Sequence, residues 1–175
     1  MRLTTFPNAL AALALGVVSS QLAQAATQSR TASAQGGTAC QLSIPTTDTK
    51  VRPKAIGFRN EGTTNAFVIC GFPMPDDSLT QFNMTVMSLD GLAHQVTCTG
   101  VNGVGYNTQP LYSTKATSTP TNTTTAYLLS WNAADFGGTG GANLPRQGYF
   151  SATCILPGQV SISTIYVSYQ EDVGS

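Results

Sequence analysis

The sequence predicts an all-β fold: an antiparallel β-sandwich, jelly-roll-like, carrying two disulfides. Three observations point there. Of the 175 residues, 25 are threonine, a β-branched residue that is stiff at χ1 and favours strands and turns over helices. Short runs of alternating apolar and polar residues recur between turn-rich pieces, and no window holds the i, i+3, i+4, i+7 apolar stripe of a helix. The chain has four cysteines behind a leader of secretory type, an even number in an expected oxidising compartment.

Met1–Ala25 reads as a signal peptide. Arg2 supplies the positive start, Ala9–Val18 the apolar run, and Ala23-Gln24-Ala25 the small-x-small cleavage site. A run of about ten residues is too short for a membrane span, which needs about 20. Ala26–Gly37 (ATQSRTASAQGG) is small, polar and aperiodic, so a flexible leader is expected there. Residues 38–175 then form a single β-sandwich domain.

Strands are expected at Ala39–Ile44, Lys50–Phe58, Ala66–Gly71, Gln109–Lys115 and Thr124–Trp131, and in two hairpins. In the first, Leu79–Leu89 alternates Phe82, Met84 and Val86, turns at Asp90-Gly91, and returns along Leu92–Thr99. A two-residue turn there sets His94 on a mostly apolar face beside Leu92, Val96 and Cys98. In the second, Arg146–Leu156 meets Pro157-Gly158, a type II turn pair, and returns along Val160–Gln170. The apolar parity changes between Ile162 and Ile165, which predicts a β-bulge near Ser163-Thr164.

Cys40, Cys70, Cys98 and Cys154 contain no C-x-x-C pair, so zinc is not indicated. Three disulfide pairings are possible. Cys40–Cys70 with Cys98–Cys154 closes the shortest loops and is favoured. The loop-entropy model values each bridge at roughly 3.5–4 kcal/mol.

Charge narrows the function classes. Only 9% of residues are charged and the formal net charge is zero, against roughly 25% charged in an ordinary domain. That excludes a basic nucleic-acid binder. Hydrophobic content of 41% excludes a disordered chain. No sequence signature implies a cofactor or a metal, and no catalytic constellation stands out. His94 is the single histidine, there is no G-x-S-x-G, and the apolar register favours a structural role for His94. Asp76-Asp77 and Glu171-Asp172 are sequence neighbours, which point to opposite faces on a strand. A hydrolase would therefore need distant carboxylates such as Asp90, Asp135 and Glu171. Asp135, ahead of Gly137-Gly138, is the best loop for a calcium ion, without EF-hand spacing. Tyr106, Tyr112, Tyr127, Tyr149 and Trp131 are the aromatics available for stacking on sugars; Tyr127 and Trp131 share parity with Leu129 and read as core. The sequons at Asn83 and Asn122 are formal matches, and neither is expected to be modified.

The least ordinary feature is basic. Lys50, Arg52, Lys54 and Arg59 hold four of the eight Lys and Arg within ten residues. Period two sets Lys50, Arg52 and Lys54 on one strand face, and Pro53, lacking an N–H, marks an edge strand. Such a strip suits an anionic ligand, or it guards the edge against strand addition.

The segments Cys40–Pro45 (CQLSIP), Cys154–Gly158 (CILPG) and Ile165–Asp172 (IYVSYQED) resemble those of short exported proteins of Gram-negative bacteria. The resemblance implies export and a disulfide-bearing β fold, and no activity. The expectation is a secreted or periplasmic, non-catalytic binding or surface-interaction module for anionic glycan or envelope material. A structural or pilus-like subunit and a hydrolase of envelope polymers are the alternatives.

Overall fold

A computed structural model describes residues 26–44, 50–72, 78–104, 109–146 and 148–174. The expected signal peptide and Asp76-Asp77 lie outside them. Eleven strands run β1 Thr27–Gln35, β2 Cys40–Leu42, β3 Val51–Lys54, β4 Gly57–Asn60, β5 Ala66–Phe72, β6 Leu79–Ser88, β7 Gln95–Val104, β8 Leu111–Ser118, β9 Tyr127–Asn132, β10 Tyr149–Leu156 and β11 Val160–Asp172. A four-residue helix α1, Gly36–Ala39, and a 3₁₀ turn, Ala133–Phe136, complete the described elements.

The strands form two sheets. One is ordered β3-β4-β11-β6-β9, with β1 also paired to β11; the other is β2-β5-β10-β7-β8. Each of these pairings is antiparallel. The order β4-β11-β6-β9 facing β5-β10-β7-β8 is that of a jelly roll, in which most successive strands alternate between sheets.

That alternation corrects both expected hairpins. β6 and β7 lie in different sheets, as do β10 and β11. Asp90-Gly91 and Pro157-Gly158 therefore sit in arches that cross between the sheets. Each strand buries one apolar face, and a local turn signal does not say whether the partner lies beside it or across the core. Residues 89–94 are long enough to span the roughly 10 Å between packed sheets. Positive φ in the second arch falls on Gln159 (φ 62°), not on Gly158. The arches meet at one end of the sandwich. The Leu89 N–H donates to the Gln159 carbonyl (2.8 Å), the Gln159 N–H to the Asn60 carbonyl (2.8 Å), and the Thr119 N–H to the His94 carbonyl (2.9 Å).

Two further expectations change. Lys50–Phe58 is not one strand: β3 and β4 form a tight hairpin around Ala55-Ile56, with Lys54 paired to Gly57. The segment Ala26–Gly37 is not a flexible leader but supplies β1, paired over nine residues with Gln35 opposite Thr164 and Thr27 opposite Asp172. Its polar composition hid the strand, because the pairing rests on backbone bonds and an Arg30–Glu171 ion pair (2.7 Å) rather than on buried side chains.

The expected bulge is present. The register of β11 against β6 shifts between Ile162 and Thr164. Along its other side, β11 pairs with β4 up to Ile162 and with β1 from Thr164. Two glycines permit this crowded exchange. A Cβ on Gly36 would lie 2.0 Å from the Ile162 carbonyl oxygen, and one on Gly57 (φ 135°) 2.4 Å from it.

The core joins both sheets. Phe82 and Phe150 stack at 4.4 Å between ring centroids, and Trp131 tilts against both at 6.1 and 6.0 Å. Gly100 makes room: a Cβ there would lie 2.8 Å from both Phe150 Cζ and Trp131 Nε1. Both disulfides form as expected. Cys40–Cys70 and Cys98–Cys154 each join directly opposed residues of neighbouring strands within one sheet. Met84 Sδ lies 3.7 Å from Cys154 Sγ, so the second bridge is packed into the core.

Candidate functional site

The four basic residues lie at the β3–β4 edge. Arg52 and Lys54 alternate with Val51 and Pro53 on β3, so they face away from the core that buries Val51. Among the described residues β3 has one strand neighbour, as Pro53 predicts. Lys50 precedes β3 in a turn, and its aliphatic stem lies over Gly62. Arg59 stands directly opposite Arg52 across the hairpin. Like charges so paired are unfavourable.

Glu61 answers this repulsion, and strand periodicity alone did not find it. Its carboxylate lies 3.6 Å from Arg52, 3.6 Å from Lys54 and 3.5 Å from Arg59. The Glu61 N–H bonds the Lys50 carbonyl (2.8 Å), which extends the hairpin by one rung and sets the carboxylate among the cations. Three cations on one anion leave an excess of positive charge in a partly exposed cluster. The loop that carries Glu61 is itself fixed: the Gln159 side-chain amide donates to the Glu61 and Gly62 carbonyls at 3.1 Å each. Asn60 reaches across to the Thr64 and Leu156 carbonyls (2.8 and 3.0 Å).

Beside this cluster opens a mainly apolar cleft of about 190 Å³ between the sheet edges, lined by Leu42, Ile44, Val51, Ala66 and Phe67 together with the polar Thr64 and Asn65. Ile44 is 67% exposed and Phe67 55%. The sequence offered no local signal for it, because the residues come from three strands and their flanks.

The other candidate groups are engaged separately. His94 is not on an apolar strand face. It sits in the 89–94 arch with Nε2 2.8 Å from Asp90 Oδ1. That hydrogen bond, aided by one from the Leu92 N–H, lowers the Asp90 pKa from 3.8 to about 2. Asp135 caps the 3₁₀ turn through the Asn132 N–H (2.8 Å) and pairs with Lys115 at 2.8 Å, so a cation already occupies the expected calcium loop. Glu171 holds Arg30. The three carboxylates weighed for hydrolysis thus each serve a different local partner. Among the described residues, no group of three or more His, Cys, Asp or Glu could hold a metal ion.

Trp131 is fully buried, as its parity predicted, while Tyr127 is 53% exposed. It opens β9 at the strand's rim, where alternation no longer faces the core. Tyr112 and Tyr149 are exposed on the other sheet, and Tyr106 lies outside the described residues. No helix among the described residues is long and apolar enough to cross a membrane. No protein-family model matches the chain, and no curated protein shows significant similarity to it.

Proposed function

We propose that this is an exported, non-catalytic binding module that holds an anionic ligand, glycan or other envelope material, on the strip Lys50, Arg52, Lys54 and Arg59. One observation carries the reading: Arg52, Lys54 and Arg59 converge within 3.6 Å of a single carboxylate. A chain with only eight Lys and Arg concentrates four of them within ten residues. Edge protection alone needs no such convergence, since one inward lysine or a proline suffices. The two disulfides suit an oxidising compartment.

The test is retention on an immobilised anionic polysaccharide, with heparin as probe. Arg52→Ser/Lys54→Ser is expected to elute at clearly lower salt than the parent chain, since each lost cation weakens a screened attraction. Unchanged retention overturns the reading.

A second reading, a structural subunit, is favoured by β1. Its nine residues contain no proline and no lysine, and among the described residues it pairs on one side only. Such an edge is a template for a further strand. Concentration-dependent chains of copies in analytical ultracentrifugation would support it; a monomer throughout would exclude it.

A further inference from the structure

We infer that the apolar cleft and the cationic strip form one bipartite site for a single-chain anionic amphiphile, with its alkyl chain in the cleft and its charged head on the strip. This rests on the reading of the strip as an anion site and names the class of ligand.

Three features lead there. First, the two halves share β3. Val51 lines the cleft, while Lys50 precedes it and Arg52 follows it in the chain. Alternation on an edge strand turns Val51 into the gap between the sheets and Arg52 and Lys54 outward, so the two chemistries meet along one strand. Second, the cleft lining is mainly apolar, with Thr64 and Asn65 as its polar members, where a sugar site needs more convergent polar groups. Exposed Ile44 and Phe67 leave its mouth wettable at a cost that an alkyl chain removes by displacing water. Third, its volume of about 190 Å³ is below the roughly 300–1,000 Å³ of pockets that enclose a drug-sized ligand. It takes part of one chain, not a drug-sized ring system or paired tails. The cations flanking Val51 along β3 then select the head: phosphate, sulfate or carboxylate matches the excess charge left by Glu61. A second cavity, beside Cys40 and Gln41, is lined from α1, β2 and β5, none of which carries a cation.

The experiment titrates the folded protein by NMR with dodecyl phosphate below its micelle concentration, and separately with inorganic phosphate and with uncharged dodecyl maltoside. Dodecyl phosphate is expected to bind at least tenfold more tightly than either, shifting the Val51 and Phe67 amides and the Arg52 side chain together. Ile44→Ser/Phe67→Ser removes two exposed side chains. It is expected to keep the parent melting temperature and heparin retention while losing at least tenfold in dodecyl phosphate affinity. Arg52→Ser/Lys54→Ser is expected to bring dodecyl phosphate down to the affinity of dodecyl maltoside. Equal binding of dodecyl phosphate and inorganic phosphate overturns the inference, as does equal binding of the charged and uncharged amphiphiles. Binding only to phosphatidylglycerol vesicles, with none to the monomeric amphiphile, overturns it too. If heparin retention survives those results, the inference alone fails; if no anion is retained at all, the underlying function fails with it.

Discussion

The two lateral sides of the sandwich are finished in opposite ways. Where β8 and β9 come together, the gap is closed by polar groups that reach across it. The Trp131 indole N–H donates to the Ser113 carbonyl on β8 (3.0 Å), and the Lys115 ammonium donates to the Ser130 carbonyl on β9 (2.6 Å) while pairing with Asp135. Each sheet edge thereby occupies an acceptor of the other, and an inward lysine discourages strand addition. Where β2 and β3 flank the opposite gap, the apolar side chains of Leu42 and Val51 line the cleft. An apolar surface and a cationic strip remain there instead. The contrast shows two ways to finish an edge: on one side Lys115 ties the two sheets together, and on the other Arg52, Lys54 and Arg59 pair with Glu61 at the end of a single sheet.

The largest effect expected from breaking this division is on the closed side. Trp131→Ala removes a fully buried ring from the Phe82–Phe150 stack together with the bond to Ser113. A loss of about 3–5 kcal/mol is expected in denaturant unfolding, with heparin retention unchanged in the fraction that stays folded. Next comes the buried staple. Replacing Cys98 and Cys154 by alanine releases a loop with a sequence separation of 56 residues, against 30 for Cys40–Cys70. The loop-entropy model gives about 4.2 and about 3.6 kcal/mol respectively, so equilibrium unfolding is expected to rank the two double variants in that order. A smaller effect follows from Lys115→Met, which frees the Ser130 acceptor and leaves Asp135 without its cation. We expect about 1 kcal/mol in stability and increased self-association on light scattering. If Lys115→Met aggregates no more than the parent, the sealing role of that edge is wrong.

The smallest effect concerns the arch end. Asp90 has its pKa held at about 2 by the His94 hydrogen bond and then the Leu92 N–H. A depressed carboxylate pKa adds stability that is present above its ordinary value of 3.8 and is lost as pH falls through about 2. The melting temperature is therefore expected to decline across that window. In His94→Ala the Asp90 pKa is expected to rise toward 3.8, read by carboxyl-carbon NMR.

Much of this was legible from local pattern. Alternation located most strands from β5 to β11, the parity change placed the bulge at Ser163-Thr164, and loop length picked the disulfides. Sheet membership was not legible, because Asp90-Gly91 and Pro157-Gly158 turn the chain without stating whether the next strand lies beside or across. β1 was hidden because TQSRTASAQ buries almost nothing; its place is set by a vacant edge on β11 far along the chain. At the candidate site, period two grouped Arg52 with Lys54. The Glu61 hub and the cleft needed the β3–β4 hairpin and the crossing to β5, both of which depend on contacts between separated strands.

The position of β11 also sets a schedule. This strand near the C-terminus lies at the centre of its sheet, with β6 on one side and β4 and β1 in succession on the other. Without β11, β1 loses the pairing it has, β4 keeps only β3 and β6 keeps only β9. This sheet is consequently complete only once β11 is in place. A chain truncated before Val160 leaves three strands with exposed edges, a ready substrate for quality-control proteases.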